Sequence, residues 1–329
     1  MPGFGKPRFA YEIDVAKERR ALRRHKKARG VPAREEGHLL LATWNIANLG
    51  AKEQRRDPEC LDLLAEIVGW FDLVAVQEVR DDFTAVRELL ARLPRTWRLI
   101  FSEAGGNDER FAFMWDSAVV DLGQLVGKMV IEPKRLKTAG GSKFEGFSRT
   151  PYLATFHSGE LAVEIGSVHS FFGNLEKDPV GALERRLAET QAVAWWCETR
   201  SKDPDSYTPD ILAVGDFNTP TDDDGPFAEQ MLDKLRRKGL HTPIWVDDGD
   251  EKVIETQLGS AVRSKNQYDH MFFFPKHTAA DLEADGVFDF DAVVFADLWE
   301  ARGRADFHRY AIWALSDHRP LWMRLKAPR

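Results

Sequence analysis

One arrangement recurs along the sequence: an apolar segment passes straight into a carboxylate, a carboxamide or an imidazole. Asn45 follows LLLATW, Gln77 and Glu78 follow LVAV, and His169 ends LAVEIGSVH. Asp216 and Asn218 follow ILAVG, Asp269 sits at the start of YDHMFFF, and Asp317 with His318 stands just before PLWMRL. The apolar segments have the length and bulk of strands, several of them buried on both faces. Strand ends can share one rim of a sheet, so groups far apart in sequence can converge there. Each residue alone also has a local explanation: Asn45 as a turn residue, Glu78 as a helix cap, His169 as a hydrogen-bonded core histidine. Likewise Asp216 and Asn218 before Thr219 and Pro220 could start a loop, and Ser316, Asp317 and His318 could form a turn. The set says more than its members, because independent turns do not require the same polar types at so many strand ends.

The charge balance narrows the chemistry. Of 46 Lys+Arg and 53 Asp+Glu, residues 1–36 hold 11 and 5, which leaves an acidic remainder of 35 and 48. A broad basic coat for nucleic acid is therefore excluded, whereas an enzyme that holds metal ions with carboxylates fits. A hydrophobic content of 43% supplies a sizeable core and excludes a mainly disordered chain. Cys60 and Cys197 each lie in an apolar helical pattern, so neither a disulfide framework nor a Cys-rich zinc site is expected. No apolar run approaches the roughly 20 residues that a membrane span needs, and the N-terminus lacks the order of a secretory signal; the expectation is a soluble cytosolic protein.

Around the chemistry-bearing residues the elements can be outlined. The pair Asp57 and Pro58 opens a helix with Leu61, Leu64, Ile67 and Val68 on one face; Asp81 and Asp82 precede another carrying Phe83, Val86, Leu90 and Leu93. Pro179 opens a third, longer helix. Helices interspersed with strands in both halves point to two packed sheets flanked by helices rather than one parallel sheet. The segment VAKERRALRRHKKAR, ended by Gly30 and Pro32, predicts a short exposed basic helix, either a solvated arm or a contact to an anionic polymer. The domain organisation expected is a basic N-terminal extension over residues 1–36 and a single domain over residues 37–329.

The motifs WNIANLG, VAVQEVRD, VGDFNTP, YDH and SDHRP resemble, in order and spacing, the endonuclease/exonuclease/phosphatase superfamily. NDERFAFMWD, SRTPYLATF and VHSFFG are similar to its deoxyribonuclease I branch, and the resemblance covers Leu39 to the C-terminus. It implies an α+β fold, a four-layer α/β/β/α sandwich of two mixed sheets. It also implies roles. Glu78 and Asn45, with Asp317, would be ligands of Mg²⁺ or Mn²⁺. His318 with Asp269 would activate water, and His169 with Glu109 would serve the leaving oxygen. Asp216 and Asn218 would orient the nucleophile and the scissile phosphate, which Arg80 and Arg149 would contact.

Oxygen ligands suit a hard cation, and a histidine needs a carboxylate to fix its tautomer, so the physical chemistry agrees with these roles. The activity implied is a Mg²⁺-dependent endonuclease hydrolysing DNA phosphodiester bonds to 5′-phosphate ends, with DNA as substrate and no obligate protein partner. Two alternatives stand beside it: a phosphodiesterase or phosphatase on a small or lipid-derived phosphate, and an inactive interaction module of the same fold. Substrate choice is expected to lie in the loops from Ser102 to Glu109 and from Lys134 to Phe147. The first has Asn107 where deoxyribonuclease I carries a groove-stacking tyrosine, and the second lacks cysteines.

Overall fold

The computed structural model describes residues 5–132, 136, 144–173, 177–219, 246–247, 252–253 and 268–328. Thirteen strands and seven α-helices lie among these described residues. The first sheet has the order β12-β13-β1-β2-β4-β3, built from β1 (His38–Leu49), β2 (Leu73–Val79), β3 (Trp97–Phe101), β4 (Arg110–Asp116), β12 (Leu282–Val287) and β13 (Leu321–Lys326). The second, β11-β8-β7-β6-β5, is built from β5 (Asp121–Lys128), β6 (Tyr152–Ser158), β7 (Leu161–His169), β8 (Ile211–Asp216) and β11 (Asp269–Phe273). Each sheet is mixed: β1 runs parallel to β2 and β7 parallel to β8, while their other pairings are antiparallel. A separate two-stranded ribbon joins β9 (Val246–Asp247) to β10 (Lys252–Val253).

The period-2 alternation of strand side chains separates the layers. Leu39, Leu41, Leu73 and Ala75 face the second sheet and meet Phe156, Ile165, Leu212 and Val214 in the inter-sheet core. Their sequence neighbours Leu40, Ala42, Val74 and Val76 face the opposite way. There they pack against α2 (Pro58–Val68), α3 (Phe83–Ala91), α6 (Ala296–Arg302) and α7 (Arg304–Ala314). On the far side, Ile211 and Ala213 pack with Leu187, Val193 and Cys197 of α4 (Pro179–Lys202). The result is the α+β four-layer sandwich, in which the polar site residues stand at the strand ends that form the rim.

Two local expectations change. Pro58 does occupy the first turn of α2, but Asp57 makes no side-chain cap; its carboxylate accepts from Lys6 Nζ at 2.6 Å. The larger correction concerns the basic segment. Its helix, α1 (Val15–Ala28), is not an exposed arm: Leu22 is fully buried in the core beneath the first sheet, and Glu18 accepts from Phe295 N. Its cations meet acids of the body, with Arg23 on Glu66, Lys17 on Asp297, and His25 and Arg29 on Asp289. An amphipathic helix that can bury Leu22 does so, because leaving it in water forfeits roughly 2 kcal/mol.

Candidate active site

Backbone register explains how the rim is assembled. His169, Asp216 and Asp269 are direct neighbours across β7, β8 and β11, so three residues separated by up to a hundred positions share one sheet end. In the other sheet Asn45 pairs with Gln77 across β1 and β2, and Glu78 follows. Thr43 pairs with Leu321, which brings His318, three residues earlier, to the same end. Arg110 pairs with Val79, which sets Glu109 beside the end of β2. The two sheet ends then close on each other, and Gln77 Nε2 donates to Ser167 Oγ at 2.9 Å across the gap.

Asn45, Glu78 and Asp216 form the centre. Asn45 Nδ2 donates to Glu78 Oε1 at 3.0 Å and to Asp216 Oδ2 at 3.2 Å. Its Oδ1 is buried and has no hydrogen-bond partner among the described residues. Glu78 Oε2 accepts from Asn48 N at 2.9 Å, and Asp216 Oδ1 from Asn218 N at 2.9 Å. Glu78, Asn48 and Asn218 all hold left-handed backbone, with φ of 61°, 50° and 48°. For a glutamate this conformation costs about 1 to 2 kcal/mol, strain that the surrounding hydrogen bonds offset while turning the carboxylate into the rim.

Each histidine is held by its own acid. His318 Nδ1 donates to Asp269 Oδ2 at 2.7 Å, and His169 Nδ1 lies 3.0 Å from Glu109 Oε2. The free edges converge: His169 Nε2 is 3.4 Å and His318 Nε2 is 3.7 Å from the same Asp216 Oδ2. His318 is buried, which disfavours its cation, yet Asp269, Asp216 and Asp317 around it hold its pKa well above the ordinary value. Burial and Arg149 work against a charged His169, but Asp216 and Glu109 prevail and raise its pKa. Burial likewise works against the Glu109 anion, but His169, Arg149 and Arg80 bring it down to about 2.

Arg80 and Arg149 both turn onto Glu109. Arg80 Nη2 is 3.0 Å from Glu109 Oε1, and Arg149 Nε is 2.5 Å from Oε2. Arg149 is 3% exposed and also donates to Ser170 O, so its guanidinium faces the interior; Arg80, with a side chain 20% exposed, reaches the open rim. Arg80 additionally donates to Asn48 Oδ1 and to the Asn107 carbonyl, which ties it to the Ser102–Glu109 loop. Of the Lys134–Phe147 loop only Leu136 and residues 144–147 are among the described residues.

The donor set suits a hard cation. Asn45 offers an orphaned buried oxygen beside the Glu78 carboxylate. Asp317 is raised to about 6 by burial, against the pull of His318 and with the charges of Glu78 and Asp216 adding to the rise. Such crowding of negative charge is what a divalent ion relieves. Glu78, Glu109 and His169 also bring ligand atoms within 4.8 Å of one another, but two arginines already occupy the Glu109 oxygens.

All the candidate residues read from the sequence lie at this one rim. Missed were the groups that hold them: Asn48, which serves both Glu78 and Arg80, and Ser316. The Ser316 hydroxyl donates to Asn45 O and accepts from Ala47 N and His318 N. Small polar residues of this kind carry no spacing signal; only the serine of SDH, just before two site residues, hinted at a role.

No family model matches the chain, and no curated protein matches it in sequence. Solved structures match its fold. An endonuclease/exonuclease/phosphatase family protein from Bacteroides thetaiotaomicron is 16% identical, with a TM-score of 0.56 over 89% of this chain and 98% of its own. D. rerio TDP2 complexed with a single-strand DNA product is 13% identical, with a TM-score of 0.55 over 88% and 99%. A mannosyl-6-phosphatase, also from Bacteroides thetaiotaomicron, is 16% identical, with a TM-score of 0.55 over 87% and 99%. The chain thus shares the four-layer fold of these proteins, two mixed sheets packed between helices.

Proposed function

We propose that this protein is a metal-dependent hydrolase of phosphate esters that cleaves phosphodiester bonds of nucleic acid, DNA foremost, leaving 5′-phosphate ends. The observation that carries the reading is the convergence of two carboxylate-held imidazoles on one oxygen of Asp216, beside Asn45 and Glu78. Hydrolysis of a diester needs a group to take a proton from water and another to protect the departing oxygen, on opposite sides of one phosphorus. His318, steadied by Asp269, takes the proton; His169, steadied by Glu109, serves the leaving oxygen. Asp216 orients the attacking water, and Asn218, whose Nδ2 donates to Ser170 O, lines the phosphate position.

Asn45, Glu78 and Asp317 would hold Mg²⁺ or Mn²⁺, which supplies charge stabilisation on the phosphate oxygens in the transition state. The partly exposed Arg80 makes the phosphate contact, whereas buried Arg149 acts by fixing Glu109. A second reading, a phosphatase acting on a small phosphate, is favoured by the acidic body of the chain and by the likeness in fold to a mannosyl-6-phosphatase. The test is incubation with plasmid DNA, single-stranded DNA, RNA, bis-p-nitrophenyl phosphate and p-nitrophenyl phosphate, with Mg²⁺ and with excess EDTA. Metal-dependent cleavage of DNA and the diester is expected. Full turnover in EDTA would refute the metal reading, and turnover of the monoester alone would replace the nuclease by the phosphatase.

A further inference from the structure

Arg56 takes no part in the chemistry above, yet it is a buried cation behind it. It lies just before α2 and is 9% exposed. Three hydrogen bonds leave its guanidinium and all end on main-chain carbonyls: Nη2 donates to Ala47 O at 2.7 Å and Leu315 O at 2.9 Å, and Nε to Ala314 O at 3.2 Å. None ends on a carboxylate, and burial brings its pKa down to about 10 although Cys60, Asp317 and Glu78 pull the other way. Burying a guanidinium without a hydrogen-bonded counter-ion is costly, so the position calls for a reason.

The carbonyls supply one. Ala47 lies between Asn45 and Asn48, at the end of β1. Ala314 and Leu315 close α7 and lead into Ser316, Asp317 and His318. Arg56 therefore joins the two segments that bring Asn45 and Asp317 to the rim from opposite ends of the chain, and a rigid planar fork is the side chain that can hold several carbonyls at fixed spacing. We propose that Arg56 is a positioning residue for the metal site, clamping the 45–49 segment to the 314–318 segment and so setting how far Asn45 and Glu78 stand from Asp317. The proposal rests on reading these three as ligands. Its positive charge is not the device: a cation behind the site repels a divalent ion, so the clamp must act through geometry.

Arg56→Lys separates the two, since lysine keeps the charge and gives up the fork. Mn²⁺ binding, measured by calorimetry without substrate and at a temperature where circular dichroism shows both proteins folded, should weaken about tenfold or more. Equal Mn²⁺ affinity in folded wild type and Arg56→Lys overturns the clamp; failure of the wild type itself to bind Mn²⁺ overturns the ligand reading on which it rests. If the lysine variant does not fold, Arg56→Gln takes its place in the same titration. One arm needs no variant. In metal-free wild type, the amides of Ala47 to Leu49 and of Leu315 to His318 should exchange as slowly as those of β1, and rapid exchange there would refute a clamp that works before metal arrives.

Discussion

His169 and His318 each commit one ring nitrogen to a carboxylate and turn the other toward Asp216, so each proton has a defined place to go. An imidazole fixed in this way is worth on the order of 10² to 10⁴ in rate as a general acid or base. His318→Ala and His169→Ala should each cost that much in kcat on the diester, with circular dichroism spectra and Tm close to wild type. A loss below tenfold for either would remove it from the mechanism. The same scale explains why the arginines differ although both touch Glu109. Arg149 is enclosed, a counter-ion for a buried carboxylate; Arg80 keeps an edge in solvent.

At the level of elements, the site depends on how closely β7 and β8 approach. Gly215 sits at φ 134° directly opposite Val168, where a Cβ would stand 2.1 Å from the Val168 carbonyl oxygen. Gly215→Ala must either strain the backbone or push the strands apart just where His169 and Asp216 are paired. A loss of about 3 kcal/mol or more in urea unfolding is expected, together with loss of activity. A milder effect of under 1 kcal/mol would mean that the strand pair yields more easily than its geometry indicates.

The α1 interface gives a pH-dependent test. Burial opposes the Asp289 anion, but His25 and Arg29 outweigh it and lower its pKa below the ordinary value. A carboxylate depressed in the folded state contributes stability above its unfolded pKa of about 3.9, and loses that contribution as pH falls through the folded value. The Tm deficit of Asp289→Asn should therefore shrink as pH falls below about 4. A deficit that stayed undiminished at about pH 2 would show that the carboxylate's charge contributes nothing.

For the whole molecule, the basic N-terminal helix packs as part of the first helical layer. Arg23, Lys17 and Arg29 pair with Glu66, Asp297 and Asp289, and Leu22 fills the core. Truncation before Gly37 should lower Tm by several degrees, because it uncovers the apolar face beneath it and removes the Arg34 contacts to Asp72 and Asp116. The salt dependence of DNA affinity should stay unchanged. A slope flattened by roughly 0.7 to 0.9 per lost phosphate contact, with Tm intact, would make the helix a tether for a polymer instead.

What the sequence by itself determined was the type of residue at each strand end and the central strands that deliver them. Those strands are covered on both faces, so they read as largely apolar runs that end on the polar residues of the rim. The strands missing from that reading are the short ribbon of β9 and β10 and three strands at sheet edges, β3, β5 and β12. An edge strand has one side in solvent; β5 is largely exposed and five of the six residues of β12 are at least partly so, and their mixed composition hides them. Only the tertiary structure decided that Asn45, Glu78, Asp216 and the two histidines share one rim, that α1 packs into the core, and that Arg149 faces inward. Register, burial and the direction of a guanidinium depend on residues hundreds of positions away. A local pattern records what a residue can do, while the packing of distant strands decides what it meets.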